Sequence, residues 1–270
     1  MFNKGAAKTN WQKKHKQPMK QFFKISIGSL QVILLILEAV IISRFVFLFA
    51  SVSWKNLYVQ SWSKKVLKSF GISIKLVNPD NLSTDSGFSL VSNHVSWIDI
   101  QVIESIVHCR FISTSEVFAW PVIGKMAEAA GSLFIDLDNP RIGTKKIVDQ
   151  MTPLLSSGEG ICFFPEATST DGQQILPFKS NLFQSAILSN TPVIPVAIRY
   201  LDKNNEFSSA PGFFGDMSLL ECMKNIFVNA PLTAEVIVLP ATPFFSNKKE
   251  LSEYCFNQIN NTLSVHRSID

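Results

Sequence analysis

Charge is scarce in this chain: Asp, Glu, Lys and Arg together make up 17% of its 270 residues. The chain is more apolar than an ordinary soluble domain. The four cysteines, Cys109, Cys162, Cys222 and Cys255, stand far apart, and no C-x-x-C pair occurs. No metal or redox site is therefore expected, and the thiols read as buried and free in a reducing compartment. No G-x-S-x-G elbow occurs, which argues against a serine hydrolase working through an acyl-enzyme. No internal repeat divides the chain.

What the chain has in quantity is apolar surface: 46% of residues, including 22 phenylalanines. Both values suit a protein that meets lipid as well as water. The net charge of +4 is unevenly placed. Residues 1–24 hold seven lysines and no acid, which leaves 18 basic residues against 21 acidic ones elsewhere. Such a basic arm suits an anionic membrane surface, at about 1 kcal/mol per lysine. Nucleic acid is not expected as a partner, because the rest of the chain is slightly acidic.

The sequence divides into a basic, poorly ordered arm (1–24), a membrane-anchoring helical segment (25–70) and a domain (71–270). Within 25–53 the apolar run is interrupted by Glu38 and Arg44. Its charge-free pieces fall short of the roughly 20 residues that cross a bilayer as a helix. Two arrangements stay open. The whole segment spans once if the two charges find partners, or it forms a bent pair of helices sunk in one leaflet. Residues 54–70 read as an amphipathic helix ended by Gly71. Beyond it strands and helices alternate: strands at 72–77, 88–91, 110–113, 133–136, 160–164, 192–200 and 232–239. Helices are expected at 97–107, 116–130 with a break at Pro121, 141–155, 179–189, near 216–228 and at 247–263. The fold class is α/β, a mixed, partly parallel sheet flanked by helices, with an N-terminal apolar helical anchor.

Ser92-Asn93-His94-Val95-Ser96-Trp97-Ile98-Asp99 follows a short strand and opens a helix. On one helix, five residues turn the chain by about 140°, which points His94 and Asp99 apart. They meet if His94 lies in the turn and Asp99 in the first helical turn. The carboxylate then fixes the imidazole tautomer and leaves the other nitrogen free as a base. The same residues also read as a capping box, with Ser96 as N-cap and Asp99 at the third position. His15, His108 and His266 have no partner pattern, and Trp97 reads as core. Downstream, Phe164-Pro165-Glu166-Ala167-Thr168-Ser169-Thr170 ends a buried strand in a polar turn, where α/β sheets place ligand sites.

Together the two stretches resemble the PlsC-like glycerolipid acyltransferase family, which carries N-H-x-x-x-x-D and then F-P-E-G-T-R-S. Trp120-Pro121-Val122-Ile123-Gly124, Gly131 to Asp136 and Val193-Ile194-Pro195-Val196 fit as well, so the resemblance covers residues 70–200. It implies a membrane-bound enzyme moving an acyl group from a thioester, acyl-CoA or acyl carrier protein, to a lysolipid hydroxyl, with no cofactor. It implies His94 and Asp99 as the catalytic pair, the carboxylate orienting the base as in serine-hydrolase triads. Backbone N–H groups at the helix start would stabilise the oxyanion. Asn93, Glu166, Thr168 and Ser169 would bind substrate, Glu166 holding the acceptor.

The sequence departs from the family at the phosphate grip. Ser169 stands where an arginine is usual, Ala167 replaces a glycine, and the cations expected near Thr114 and Leu137 are absent. Lys179 and Arg141 are candidate substitutes. The variant motif is similar to that of lyso-ornithine lipid acyltransferases, whose acceptor has no phosphate monoester. A lysophospholipid acceptor, a phosphate-free one, and a non-catalytic lipid-binding relative therefore all stay open. The expected location is the cytoplasmic face of the membrane, where thioester donors are.

Overall fold

The computed structural model describes residues 4–115, 123–136 and 140–267. Helix α1 (Lys4–Ile41) runs into a π-helical turn at Ile42–Val46, and α2 (Val52–Ser69) returns beside it. The arm expected to be poorly ordered is thus helical from Lys4. Lysine, alanine and glutamine all favour helix, and an existing helix extends at little cost. Ser51 Oγ caps α2 by accepting from Trp54 N, and Gly71, at φ +69°, follows its end. Trp62 Nε1 donates to Leu35 O at 2.9 Å, and Lys65 Nζ lies 2.7 Å from Glu38 Oε1. The interrupting acid of the apolar run therefore has its partner across the hairpin.

The remaining elements are β1 (Ile72–Val77), β2 (Phe88–Ser92), α3 (Ile98–Ile106), β3 (Arg110–Thr114), α4 (Ile123–Ala129) and β4 (Leu133–Ile135). After them come α5 (Pro140–Ser156), β5 (Gly160–Phe163), α6 (Phe183–Ser189), β6 (Val193–Leu201), α7 (Leu219–Asn229), β7 (Leu232–Val238) and α8 (Lys248–Arg267). The seven strands lie in the order β1-β7-β6-β2-β5-β3-β4. Every neighbouring pair is parallel except β6–β7, so β1 and β7 run against the other five. Alternate residues of β6 face opposite layers. Ile194, Val196, Ile198 and Tyr200 meet α2, α3 and α7, while Val193 and Ala197 meet α6 and α8. Burial on both faces explains the apolar run Val193–Ile198 of this strand, which Arg199 then interrupts.

Helix α1 packs against the domain through Gly28. A Cβ there would lie 2.3 Å from Phe227 Cε1 of α7, so only a bare backbone approaches this closely. Lys24 Nζ adds a bond to Ala230 O at 3.0 Å.

One expected boundary differs, and one lies outside the described residues. The helix expected from Lys179 starts at Phe183, because Lys179 N donates to Pro165 O and ties that segment to the second motif. The first part of the helix expected over 116–130, with Trp120, Pro121 and Val122, lies outside the described residues, as does Leu137. The carboxyl ends of β2 and β5 stand side by side, with β6 flanking β2. Both motifs leave the sheet at this edge.

Candidate active site

Strand β2 is buried throughout, and it delivers Asn93 and His94 to the sheet edge. Asn93 is clamped to β6: its Nδ2 donates to Ile198 O at 2.9 Å, and its Oδ1 accepts from Ile198 N at 2.8 Å. The turn after His94 wraps around Asp99, in the first turn of α3. Asp99 Oδ2 accepts from His94 Nδ1 (2.9 Å), Val95 N (2.7 Å) and Ser96 N (2.8 Å). Its Oδ1 accepts from the Tyr200 hydroxyl at 2.6 Å. Asp99 is wholly buried, whereas the His94 side chain keeps 19% of its surface open. A carboxylate only accepts, so Nδ1 donates to Asp99, and in the neutral ring Nε2 is then the nitrogen that can take a proton; Nε2 has no partner among the described residues.

The second motif brackets the same peptide. Glu166 Oε1 accepts from His94 N (2.7 Å) and Oε2 from Leu176 N (2.8 Å). Thr170 N donates to His94 O at 3.0 Å. Burial pushes the Glu166 carboxyl up, against the pull of the two N–H donors and of nearby His94; the Asp99 charge adds to the rise. The Phe164 ring stacks on His94 with centroids 4.0 Å apart and planes 15° apart. A ring held by a stack on its face and a carboxylate at one nitrogen keeps one orientation.

Several expected roles change. Ser96 is not the N-cap of α3: that position is Trp97, and Ser96 Oγ faces Cys222 Sγ instead. Asp99 still bonds backbone N–H groups before the helix, which is the carboxylate's half of a capping box. Asn93 and Glu166 have both polar ends bonded to backbone, so they hold the two motifs together. The Ser169 hydroxyl donates to Phe213 O, and Phe213 N donates to Val95 O, so Ser169 too serves the loop. Thr168 and Lys179 are exposed, and neither side chain has a hydrogen bond among the described residues. Arg141 is exposed on α5. His108 does have a partner: its Nδ1 lies 2.6 Å from Glu104 Oε1, one helical turn back at the end of α3. The four thiols are buried and free.

Tyr200 and Phe164 carry no assigned role in the sequence reading. Tyr200 left one signal, a hydroxyl near the end of a mostly apolar strand, since a buried phenol needs an acceptor. Phe164 opens the second motif and is indistinguishable there from a core residue.

Residues 73–199 match the family described as Acyltransferase. The chain belongs to this family, and its relatives are enzymes of lipid acylation. It is 34% identical over 182 residues to the 1-acyl-sn-glycerol-3-phosphate acyltransferase of Neisseria gonorrhoeae, covering 67% of this chain and 70% of that one. It is 29% identical over 231 residues to the lyso-ornithine lipid O-acyltransferase of Brucella abortus, covering 78% and 84%. The crystal structure of the 1-acyl-sn-glycerophosphate acyltransferase PlsC from Thermotoga maritima shares the fold. Its TM-score is 0.69 at 16% identity, over 93% of this chain and 98% of that one. The protein is an acyltransferase acting on lysolipids, and its apolar N-terminal helix fits association with the membrane.

Proposed function

We propose that the enzyme transfers a fatty acyl group from acyl-CoA or acyl carrier protein to the free hydroxyl of a lysolipid of the 1-acylglycerol-3-phosphate type. The observation that carries this is the His94 ring, tied at Nδ1 to Asp99, with no partner on Nε2 among the described residues and 19% of the side chain exposed. Nε2 takes the hydroxyl proton as the lipid oxygen attacks the thioester carbonyl carbon. The C–S bond then breaks, and the departing thiolate takes the proton back from the imidazolium. Asp99 stabilises that imidazolium, as carboxylates do beside histidine bases. The amides of His94, Val95 and Ser96 are already committed to Glu166 and Asp99. We therefore assign the oxyanion to the amides of Trp97 and Ile98, at the positive end of α3. No cofactor enters this scheme.

A second acceptor has its own support. Ser169 stands at the position of the family's arginine and spends its hydroxyl on Phe213 O. That favours a phosphate-free acceptor such as a lyso-ornithine lipid. Incubation with acyl thioesters and both lysolipids side by side decides between them. Turnover on neither would turn the protein into a lipid-binding relative. Release of thiol in a burst without any acceptor would replace direct transfer by an acyl-enzyme.

We further propose that α1 lies in one leaflet, on the cytoplasmic face. Residues Phe23–Val46 are long and apolar enough to cross a bilayer, with a mean hydropathy of 2.4. Yet the apolar part of α1 is docked on the domain, at Gly28 on α7 and at Leu35 and Glu38 on α2. A perpendicular span would drag those elements into hydrocarbon. Its outward face, Phe23, Ile27, Leu30, Leu34, Leu37 and Ile41, is apolar from end to end and more than half exposed at each position. That is the pattern of an interfacial helix.

A further inference from the structure

We propose that Tyr200 is a positioning residue of this site, which sets how strongly Asp99 supports protonation of His94. The inference rests on His94 acting as the base. The two oxygens of Asp99 have separate duties. Oδ2 takes His94 Nδ1 and the two amides of the turn, whereas Oδ1 has one donor among the described residues, the phenol at 2.6 Å. A short bond from a neutral hydroxyl to a buried carboxylate draws charge away from the oxygen that faces the imidazole. The less charge Oδ2 carries, the less it stabilises the imidazolium. Tyr200 thus limits how far Asp99 favours the imidazolium, and fixes the carboxylate plane.

The stretch of backbone that carries the phenol is itself held from several sides. Asn93 grips the backbone of Ile198 two residues earlier, Ser208 N donates to Tyr200 O at 2.9 Å, and Leu201 bridges to Phe207. Tyr200 is 1% exposed. Burial, and then the Asp99 charge and hydrogen bond, push its hydroxyl well above the usual tyrosine range, so it stays a donor at every working pH. The other titratable groups around the pair are Glu166, bonded to the His94 amide, and Cys222 of α7, whose thiol burial also pushes up. Neither contacts Asp99 Oδ1 among the described residues.

The test is Tyr200→Phe in the full-length protein in lipid vesicles. The acid limb of kcat/KM against pH should move up by about one unit, the scale of one hydrogen bond to a charged group. At neutral pH kcat should fall roughly ten-fold, the low end for loss of a supporting residue, with the lysolipid KM unchanged. Replacement of Tyr200 by 3-fluorotyrosine keeps the shape and strengthens the donor, and it should move the limb down. It also serves if the phenylalanine variant fails to fold. The ring resonances of His94, one of four histidines, should titrate at higher pH in Tyr200→Phe whether or not the enzyme turns over, which separates this inference from the assignment of the reaction. A lower melting temperature with the limb and the His94 titration unmoved would reduce Tyr200 to a packing residue and overturn the proposal.

Discussion

Ala167 holds a left-handed backbone conformation, φ +59°, where the family motif has glycine. A residue with a Cβ pays roughly 1–2 kcal/mol for that region. The turn keeps it because Glu166 must face back to the His94 amide while Ala167 N bonds to Phe164 O. Ala167→Gly is expected to raise stability by about 1 kcal/mol, after the larger chain entropy of glycine is set against the relief; denaturant unfolding in detergent measures it. Glu235 offers a pH test. Burial alone would push its carboxyl up, but Lys75 Nζ at 2.7 Å and Arg199 Nε at 2.5 Å outweigh burial and hold it below the ordinary carboxylate range. Its stabilising contribution is therefore present above the unfolded-chain value of about 4.3 and is lost as pH falls through the lower folded value. Glu235→Gln should lower stability at neutral pH and flatten acid unfolding, read from melting temperatures between pH 3 and about 7. At this scale the sequence was legible where spacing carries geometry, as in the five-residue step from His94 to Asp99. It was not legible where a polar side chain ends up on distant backbone. Nothing local tells that Asn93 will grip Ile198, or that Ser169 will serve Phe213.

Elements were easier to read than their edges. The strands are apolar runs between turn residues, and β1, for example, is found at the expected Ile72–Val77. The start of α6 was misplaced because a long-range bond, Lys179 N to Pro165 O, outweighs local helix preference. The docking of α1 was invisible for the same reason: a glycine in an apolar helix has no evident purpose until Phe227 is seen beside it. Gly28→Val should cost about 1–3 kcal/mol by overpacking against that ring. The expected readout is easier proteolytic release of α1 from a domain that otherwise stays folded. Protection equal to that of the parent chain would show that the helix is held elsewhere.

The whole molecule joins an α/β sheet, with His94 at one edge, to a helix whose outer face is unsuited to water. Replacing Leu30, Leu34 and Leu37 by serine removes three side chains that are each more than half exposed. Lipid burial of each is worth roughly 1.5–3 kcal/mol, so binding to vesicles in flotation should collapse while the fold persists. Both the hairpin and the basic arm before it were legible as a membrane signal from composition. The choice between crossing and lying flat was not, because it depends on which face of α1 the domain covers. Proton transfer to His94 is the step on which every other role at the site depends. The direct measurement is turnover of His94→Ala on a thioester and a lysolipid that the parent enzyme uses, with vesicle binding checked in parallel. A positioned base contributes on the order of 100-fold or more, and a loss of that size with membrane binding intact is the predicted result. Parental turnover by the bound variant would contradict it.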